Sequence, residues 1–456
     1  MYEIKIFNFE KTYLLNELIK IFLRPDQYRL LEDDEEPGID CILINEENFD
    51  DKHQINRQIF DKLSALTGKK PEWGTLTGVR PVKLCGEIYE RLKDKEKVLR
   101  ELMSVYYLSK EKAELILNTY LHQQKFCGTA GEKTACVYIG IPFCPTRCVY
   151  CSFASNQVAD VEIEKYLIAL HKEIEYVGKR MIETGIIPET IYIGGGTPTT
   201  LNAEQLNKLI NQIKESFDMS QVREFTIEAG RPDTITEEKL MVIRNHDISR
   251  ISINPQSMKA RTLELIGRSH QPEDIEQAFA IAKKQGFDNI NADIIAGLPE
   301  EDVDDFLHTL NRVIELDPES ITVHCLAVKR ASKLIEQDPD FHYKQAERVA
   351  KMLTSSRDIL AQAGYVPYYL YRQKHMAGAF ENIGYCKPDK DCIYNVRIMD
   401  EHQINIALGA GGISKMYYPE ENRLERVPNV TNYQEYIKRI DEMLDRKENN
   451  IFKEVE

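Results

Sequence analysis

The stretch that decides the fold of this chain reads Tyr138-Ile139-Gly140-Ile141-Pro142-Phe143-Cys144-Pro145-Thr146-Arg147-Cys148-Val149-Tyr150-Cys151. An apolar run leads into three cysteines, which are separated by three and then two residues on a short loop. Thiolates are the ligands that iron–sulfur clusters take, and this spacing lets them converge on one face of a cubane cluster. Three ligands leave one iron of a four-iron cluster open, and an open position is typical of a reactive metal centre. A zinc knuckle, which needs another Cys or His nearby, and a chance grouping of buried thiols are the alternatives.

The bulk composition limits the class of protein. With 456 residues the chain is longer than one hydrophobic core usually covers, so we expect a main domain with one or two appended. Its ten cysteines are too scattered for a disulfide framework, and a reducing cytoplasm fits them best. A net charge of −15 argues against a nonspecific nucleic-acid binder. The N-terminus has no leader pattern and no long apolar run follows, so we expect a soluble, cytoplasmic protein with no membrane span.

Residues 1–130 have the pattern of a separate α+β accessory domain. Tyr2 to Phe7 alternates like a strand, Leu14 to Phe22 has helical spacing, and Cys41 to Ile44 is a short apolar strand. The only tryptophan, Trp73, stands in a loop rich in glycine and proline. Such a loop is typical of a contact pinned to a neighbouring domain, or of a surface shaped for a ligand.

The middle of the chain, residues 131–335, alternates short apolar runs with amphipathic helical stretches. The runs are Cys136–Ile141, Thr190–Ile193, Glu224–Ile227, Ile248–Ile253, Asn289–Ile295 and Ser320–Cys325. Strands that alternate with helices pair in parallel through right-handed crossovers, so these units predict an α/β fold built as an incomplete (β/α)6 barrel. We expect residues 336–456 to form a C-terminal α+β extension that covers the substrate.

Polar residues stand at the ends of successive runs, where the chemistry of a (β/α) barrel gathers. Glu228 ends the third run, Gln256 follows the fourth, Asp293 lies in the fifth, and Arg268 stands in the loop between the last two. A helix cap or a surface group would be the plain explanation of any one of them. The glycine-rich turn 194–199 lets a ligand approach the backbone closely, or is simply a tight strand-to-helix turn.

These motifs together resemble the radical S-adenosylmethionine superfamily and, within it, the oxygen-independent coproporphyrinogen III oxidase family. The chain is similar to the HemZ branch of that family over nearly its whole length. The resemblance implies a [4Fe–4S] cluster and S-adenosyl-L-methionine as cofactors. The implied cluster ligands are Cys144, Cys148 and Cys151. The residues implied to contact S-adenosylmethionine are Tyr138, Tyr150, Gly195, Gly196, Thr197, Glu228, Gln256, Arg268 and Asp293, with Ala327 beside a possible second molecule.

The resemblance also implies an oxygen-independent oxidoreductase of porphyrin and heme biosynthesis. Cleavage of S-adenosylmethionine at the cluster would give a 5′-deoxyadenosyl radical, which would take a hydrogen from the β-carbon of a propionate of coproporphyrinogen III. Loss of carbon dioxide and one electron would leave a vinyl group, and two rounds would give protoporphyrinogen IX. No side chain need act as a catalyst. The implied partners are the porphyrinogen and a low-potential electron donor of the flavodoxin or ferredoxin type.

Two departures from the family motifs leave alternatives open. The oxidases carry a further cysteine just beyond the last cluster ligand, where this chain has Ser152-Phe153. The heme-chaperone relatives carry His-Asn-Leu-x-Tyr-Trp where this chain has Glu381-Asn382-Ile383-Gly384-Tyr385. A heme-binding chaperone that transfers heme, and a radical enzyme that acts on another tetrapyrrole, are therefore the alternatives to a coproporphyrinogen dehydrogenase.

Candidate substrate residues follow from the negative net charge, because the carboxylates of a porphyrinogen need local cations. Lys329 and Arg330 come directly after the sixth run, and Arg372 lies in the tyrosine-rich stretch 364–375. Tyrosines interleaved with cations would suit one wall of a flat, anionic macrocycle site, or equally a half-buried strand with a polar face.

Overall fold

The computed structural model describes residues 1–6, 12–32, 34–38, 41–44, 53–151, 155–327, 345–373 and 380–453. The chain forms two compact units. The first comprises Met1–His122 and Leu370–Glu381, and the second comprises Gln123–Tyr369 and Asn382–Glu456. The three-part division predicted from the sequence stays a prediction.

A parallel sheet with helices beside it forms the first unit. Its strands are β1 (Tyr2–Ile6), β2 (Tyr28–Leu30) and β3 (Ile42–Ile44), in the order β2-β1-β3. Its helices are α1 (Thr12–Phe22), α2 (Gln54–Thr67), α3 (Pro81–Leu92), α4 (Lys95–Ser104) and most of α5 (Lys110–Phe126). Alternate residues of β1, Ile4 and Ile6, pack into one apolar core with Leu18, Phe22 and Phe60, and the two phenylalanine rings meet edge to face at 5.3 Å. The first unit therefore has a core of its own.

Six parallel strands form the middle of the second unit, as the sequence predicts. They are β4 (Thr134–Ile141), β5 (Ile187–Gly195), β6 (Glu224–Glu228), β7 (Arg250–Ser252), β8 (Ile290–Ala296) and β9 (Ser320–Cys325). The helices between them are α6 (Asp160–Thr184), α7 (Ala203–Ser216), α8 (Glu237–Asn245), α9 (Ala260–Leu265), α10 (Pro272–Lys284) and α11 (Val303–Glu315). The predicted α/β class and the (β/α)6 partial barrel are confirmed.

Strands from the C-terminal part of the chain continue the barrel sheet on both edges. They are β10 (Val366–Arg372), β11 (Glu381–Cys386), β12 (Ile404–Leu408), β13 (Ile413–Tyr418) and β14 (Arg423–Pro428). The whole sheet has the order β10-β11-β9-β8-β7-β6-β5-β4-β12-β13-β14, in which β12 is parallel to β4 and β11 antiparallel to β9. The remaining helices are α12 (Ala346–Gln362), α13 (Ile393–Asp400), α14 (Tyr433–Lys438) and α15 (Ile440–Lys447). The barrel is incomplete because β4 and β9 pair with these added strands and not with each other.

The helices around the six strands are amphipathic, and α6 shows how. Its apolar residues Ile163, Leu167, Leu170, Ile174 and Val177 recur at intervals of three and four, and all of them are buried. The helix ends at a glycine in the left-handed conformation, which is a common stop signal. Across the described ranges, no helix is both long enough and apolar enough to span a bilayer.

A buried ion pair joins α6 to α15. The side chains of Glu173 and Lys447 are 0% exposed, and Oε1 lies 2.7 Å from Nζ. The same carboxylate accepts from the backbone N–H of Gly409 at 2.7 Å and from the hydroxyl of Tyr436 at 2.6 Å. Burial alone would raise the pKa of Glu173, but the charge and hydrogen bond of Lys447 lower it, so the carboxylate stays ionised. The network fixes the β12–β13 turn beside β4, where a Cβ on Gly409 would stand 2.5 Å from the carbonyl oxygen of Gly140.

Candidate active site

The cysteine loop, residues 142–151, follows β4 and is held by hydrogen bonds from two other segments. The backbone N–H of Cys144 donates to the carbonyl of Asn156 at 3.1 Å. The hydroxyl of Thr146 donates to the carbonyl of Gly267 at 3.1 Å. The shape of the loop is therefore set by β4 together with the segments that flank it. The departure noted at residues 152–153 lies outside the described ranges.

The cysteine loop carries three thiols. Cys144 and Cys148 are 9% exposed, Cys151 is half-buried, and none of the ten cysteines, all of which lie within the described ranges, forms a disulfide. Burial raises the pKa of Cys144 to about 11, the hydroxyl of Thr197 partly offsets this, and the charges of Cys151 and Cys148 add to the rise. The three sulfurs therefore lie close enough to influence one another. Free thiols grouped in this way fit an iron–sulfur cluster, which would displace their protons on binding.

The glycine turn after β5 packs directly against the cysteine loop. The N–H of Gly196 donates to the carbonyl of Ile141 at 2.8 Å, and the N–H of Thr197 donates to that of Phe143 at 2.8 Å. A Cβ added at Gly196 would stand 2.5 Å from the carbonyl oxygen of Phe143 and 2.9 Å from Sγ of Cys144. Glycine is required here because any side chain would push the cysteine loop away.

Glu228, the last residue of β6, is half-buried beside the glycine turn. Its Oε1 accepts from the hydroxyl of Tyr192 at 2.7 Å, and the backbone N–H of Gly195 also donates to it. Burial raises the pKa of Glu228 to about 7, the Tyr192 hydroxyl lowers it, and the charge of Asp293 raises it. The carboxyl is thus poised between its charged and neutral forms near neutral pH. Sequence reasoning missed Tyr192, whose position opposite Tyr138 becomes evident only once β4 and β5 are paired.

Gln256 and Arg268 carry polar atoms that the surrounding protein leaves unpaired. They are 7% and 9% exposed. Nη1 of Arg268 donates to the carbonyl of Asn254 at 2.7 Å, but within the described ranges Oε1 of Gln256 and Nε of Arg268 have no hydrogen-bond partner. The Arg268 guanidinium also lies beside Tyr150, where it opposes the rise in the pKa of that hydroxyl caused by burial. Because unpaired buried polar atoms are costly, these two indicate a site for a polar ligand.

Asp293, in the middle of β8, and His324, near the end of β9, form a pair. Nε2 of His324 lies 3.6 Å from Oδ2 of Asp293, and Nδ2 of Asn291 donates to Oδ1 at 2.7 Å. Burial alone would raise the pKa of Asp293, but His324, Asn291 and Thr322 lower it, so the carboxylate is ionised. His324 was not predicted, because a single polar residue on the inner face of an apolar strand belongs to no motif. The sequence signal that could have identified it is the alternation of side chains between the two faces of β9.

The predicted substrate residues are not brought together in the described ranges. Lys329 and Arg330 lie outside those ranges, and Ala327 is half-buried just after β9. Arg372 belongs to the first unit and is 4% exposed. Its guanidinium lies 4.7 Å from the ring centroid of Trp73. The assignment of these residues to a substrate site stays a prediction.

Known proteins share the motif region of this chain. The profile of the Radical SAM superfamily matches residues 138–313. The chain is 39% identical over 402 residues to the oxygen-independent coproporphyrinogen-III oxidase-like protein HemZ of Bacillus subtilis (strain 168), an alignment that covers 87% of this chain and 80% of the relative. It is 35% identical over 221 residues to the heme chaperone HemW of the same organism, covering 47% of this chain and 57% of that one.

A solved structure shares the fold. The chain is similar to coproporphyrinogen III oxidase (HemN) from Escherichia coli, which is described as a radical SAM enzyme. The TM-score is 0.54 at 23% identity, over 71% of this chain and 73% of that one. At this identity the likeness shows a shared architecture of the sheet and its helices.

Proposed function

We propose, because this chain belongs to the radical SAM superfamily and within it to the oxygen-independent coproporphyrinogen-III oxidase-like proteins, that it oxidatively decarboxylates the propionates of coproporphyrinogen III. Its cofactors are a [4Fe–4S] cluster and S-adenosyl-L-methionine, as the superfamily implies. One observation carries the proposal: the loop that bears Cys144, Cys148 and Cys151 packs against the glycine turn, and Arg268, which has an unpaired buried atom, lies beside Tyr150 of the same loop.

The three thiols of Cys144, Cys148 and Cys151 would hold the cluster in this proposal. When bound, the cluster and S-adenosylmethionine supply a 5′-deoxyadenosyl radical, while the protein supplies binding, orientation and shielding. A variant with all three cysteines changed to alanine should take up no cluster during anaerobic reconstitution. Iron content and cluster absorbance measure this, and a full complement of iron in the variant would refute the assignment.

Two half-buried carboxyl groups favour a cationic ligand such as S-adenosylmethionine. Glu228 and Asp293 are close enough that the charge of Asp293 adds to the raised pKa of Glu228. A ligand that carries ammonium and sulfonium charges would offset the repulsion between the two carboxylates, and both carboxylates could interact with its positive groups. Arg268 and Gln256 would meet the carboxylate and the neutral polar groups of the same ligand through their unpaired atoms.

The residue that this chain has in place of the histidine of the heme-chaperone motif supports an enzyme over a heme carrier. This residue is Glu381, whose side chain is 3% exposed within the first unit. Its Oε2 accepts from Nε1 of Trp73 at 2.8 Å, and its other oxygen is ion-paired with Lys112. A carboxylate engaged in this way offers no axial nitrogen to heme iron. The loop around Trp73 is thus pinned by a contact within its own unit.

The test is a turnover experiment on the reconstituted full chain. The protein is incubated anaerobically with a reductant, S-adenosylmethionine, coproporphyrinogen III and a one-electron acceptor for the electron lost with each carbon dioxide. The porphyrinogens are then oxidised to porphyrins, and the porphyrins and nucleosides are separated by chromatography. We expect protoporphyrin together with a matching amount of 5′-deoxyadenosine. The triple alanine variant is the control and should form neither product.

The other outcomes separate the alternatives. Abundant 5′-deoxyadenosine without a decarboxylated porphyrin would refute coproporphyrinogen III as the substrate and favour another tetrapyrrole. Stoichiometric heme binding with neither product would favour the carrier. Heme binding is measured in a separate titration of the same protein preparation with heme, in which the absorbance is compared with that of the heme-free protein.

A further inference from the structure

Arg231 is a buried cation next to the cysteine loop, and the proposed function gives it no role. It lies three residues after Glu228, in the turn that follows β6, and its side chain is 4% exposed. Its Nη1 donates to the hydroxyl of Thr146 at 2.8 Å and to the carbonyl of Thr146 at 3.2 Å. Thr146 stands between Cys144 and Cys148. The guanidinium therefore contacts the segment of backbone that carries two of the thiols.

The carboxylate of Asp233 holds the other edge of this guanidinium. Nε donates to Oδ1 at 3.0 Å and Nη2 donates to Oδ2 at 2.7 Å, while the hydroxyl of Ser269 donates to Oδ2 at 2.9 Å. Burial alone would raise the pKa of Asp233, but Arg231 lowers it, so the pair is ionic. Because Nη1 donates to Thr146 and the carboxylate binds the other two nitrogens, the positive end of the pair is directed at the cysteine loop, where its charge opposes the rise in the pKa of Cys144 that burial causes.

Neither stability nor another charge explains this arrangement. His270 lies near Asp233, with Nδ1 3.9 Å from Oδ1, but burial, followed by the charge of Arg268, lowers the pKa of His270 to about 4. It is therefore neutral near pH 7. A buried ion pair is often no more stabilising than a well-packed apolar pair, because desolvation offsets the attraction between the charges. An oriented charge beside a redox centre has an effect that an apolar pair lacks.

We propose that Arg231, oriented by Asp233, raises the reduction potential of the [4Fe–4S] cluster. The inference rests on the proposed function only in that the cysteine loop holds the cluster. Reduction adds one electron, taken from a low-potential donor, and no bond of the protein forms or breaks. A fixed positive charge stabilises the form with the added electron, and net charge is one of the factors that set cluster potentials. Arg231 is a positioning residue in this role, since it acts through the loop and not on the substrate.

The experiment is an anaerobic redox titration of the reconstituted full chain, followed by the electron paramagnetic resonance signal of the reduced cluster. Arg231→Met should lower the reduction potential of the cluster, so that the ratio of reduced to oxidised cluster at one fixed solution potential falls by about tenfold. Asp233→Asn leaves the guanidinium without its counter-charge and should raise the potential. The matched control is Arg223→Met, which removes an arginine paired with Glu189 just before β6, at the opposite end of that strand. It should leave the potential unchanged.

Opposite shifts in the two variants distinguish a charge effect from a structural one. If the pair only supports the loop, both variants disturb it alike, so shifts of the same sign, or no shift in either, would overturn the inference. If Arg231→Met loses the cluster, Asp233→Asn alone decides, by an upward shift or by its absence. A wild-type chain that takes up no iron would refute the proposed function itself. A normal cluster whose reduction potential is the same in the wild type and in both variants would refute this inference alone.

Discussion

The substitution Gly196→Ala tests whether the glycine turn holds the cysteine loop in place. The new Cβ would stand 2.5 Å from the carbonyl oxygen of Phe143 and 2.9 Å from Sγ of Cys144. A carbon and a carbonyl oxygen pack at about 3.3 Å or more, so the loop must move by roughly 0.8 Å. The backbone of Gly196 has no positive φ, so alanine is allowed there and the effect comes from this contact alone. We expect a loss of about 1–3 kcal/mol in the free energy of unfolding, typical of overpacking.

The larger expected effect of Gly196→Ala is on the cluster. A displacement near 1 Å in a reactive site lowers rates by about 100-fold, so cleavage of S-adenosylmethionine should fall by that order. Iron content, cluster absorbance and the rate of 5′-deoxyadenosine formation are measured on the same preparations. Gly78→Ala is the matched control, because its Cβ would meet only the side chain of Leu76 at 3.7 Å. Full iron content together with a wild-type cleavage rate in Gly196→Ala would refute the argument.

Three further predictions concern charged groups away from open solvent. Lys447→Met removes the cation that keeps the buried Glu173 ionised and should lower the free energy of unfolding by about 3–5 kcal/mol in urea titrations; a loss below about 1 kcal/mol would contradict this. The pKa of Glu228 is about 7 in the folded protein, above its ordinary 4.5. The folded state therefore binds more protons than the unfolded state between these values, and the free energy of unfolding of the wild type falls as the pH rises through this range. Glu228→Gln should remove this loss, so between pH 4.5 and pH 8 the free energy of unfolding of the wild type should fall by about 3 kcal/mol relative to that of the variant. Urea titrations of the cluster-free proteins measure this, and free energies of unfolding that change with pH in the same way in both proteins would count against it. Arg372→Ala removes a buried guanidinium from the face of Trp73 and should cost about 2 kcal/mol; unchanged stability with weakened porphyrinogen binding would point to a substrate role alone.

The strands of the barrel could be predicted because each is an apolar run between polar segments. The predicted run Ser320–Cys325 is β9 without change, and Cys136–Ile141 falls within β4. The run Ile248–Ile253 is longer than β7, which covers Arg250–Ser252, although Ile248 and Ile253 are both buried. Hydrophobicity therefore reports burial, while the length of a strand depends on where its neighbour allows pairing.

Side chains whose partners lie far away in the sequence could not be predicted. Glu228 and Asp293 could be selected because Glu228 ends an apolar run and Asp293 interrupts one. Tyr192 and His324 face the same interior, but each contacts a neighbouring strand and belongs to no local motif. Arg231 could not be distinguished from an ordinary loop residue in the sequence, because its contact with Thr146 exists only in the folded chain. The parallel pairing of β12 with β4 is of the same kind, since nothing local in either strand encodes it.

A stack of three tyrosines closes the interior of the barrel below the candidate site. The rings of Tyr192 and Tyr394 lie 4.5 Å apart, and the ring of Tyr138 lies 6.1 Å from each. Tyr394 belongs to α13, and Glu224 holds the start of that helix by accepting two backbone N–H bonds at 2.8 and 3.2 Å. The hydroxyl of Tyr192 donates to Glu228, so the stack is joined directly to the candidate site. The candidate site therefore extends from this stack toward the C-terminal ends of the strands, which is where the chemistry of a (β/α) barrel gathers.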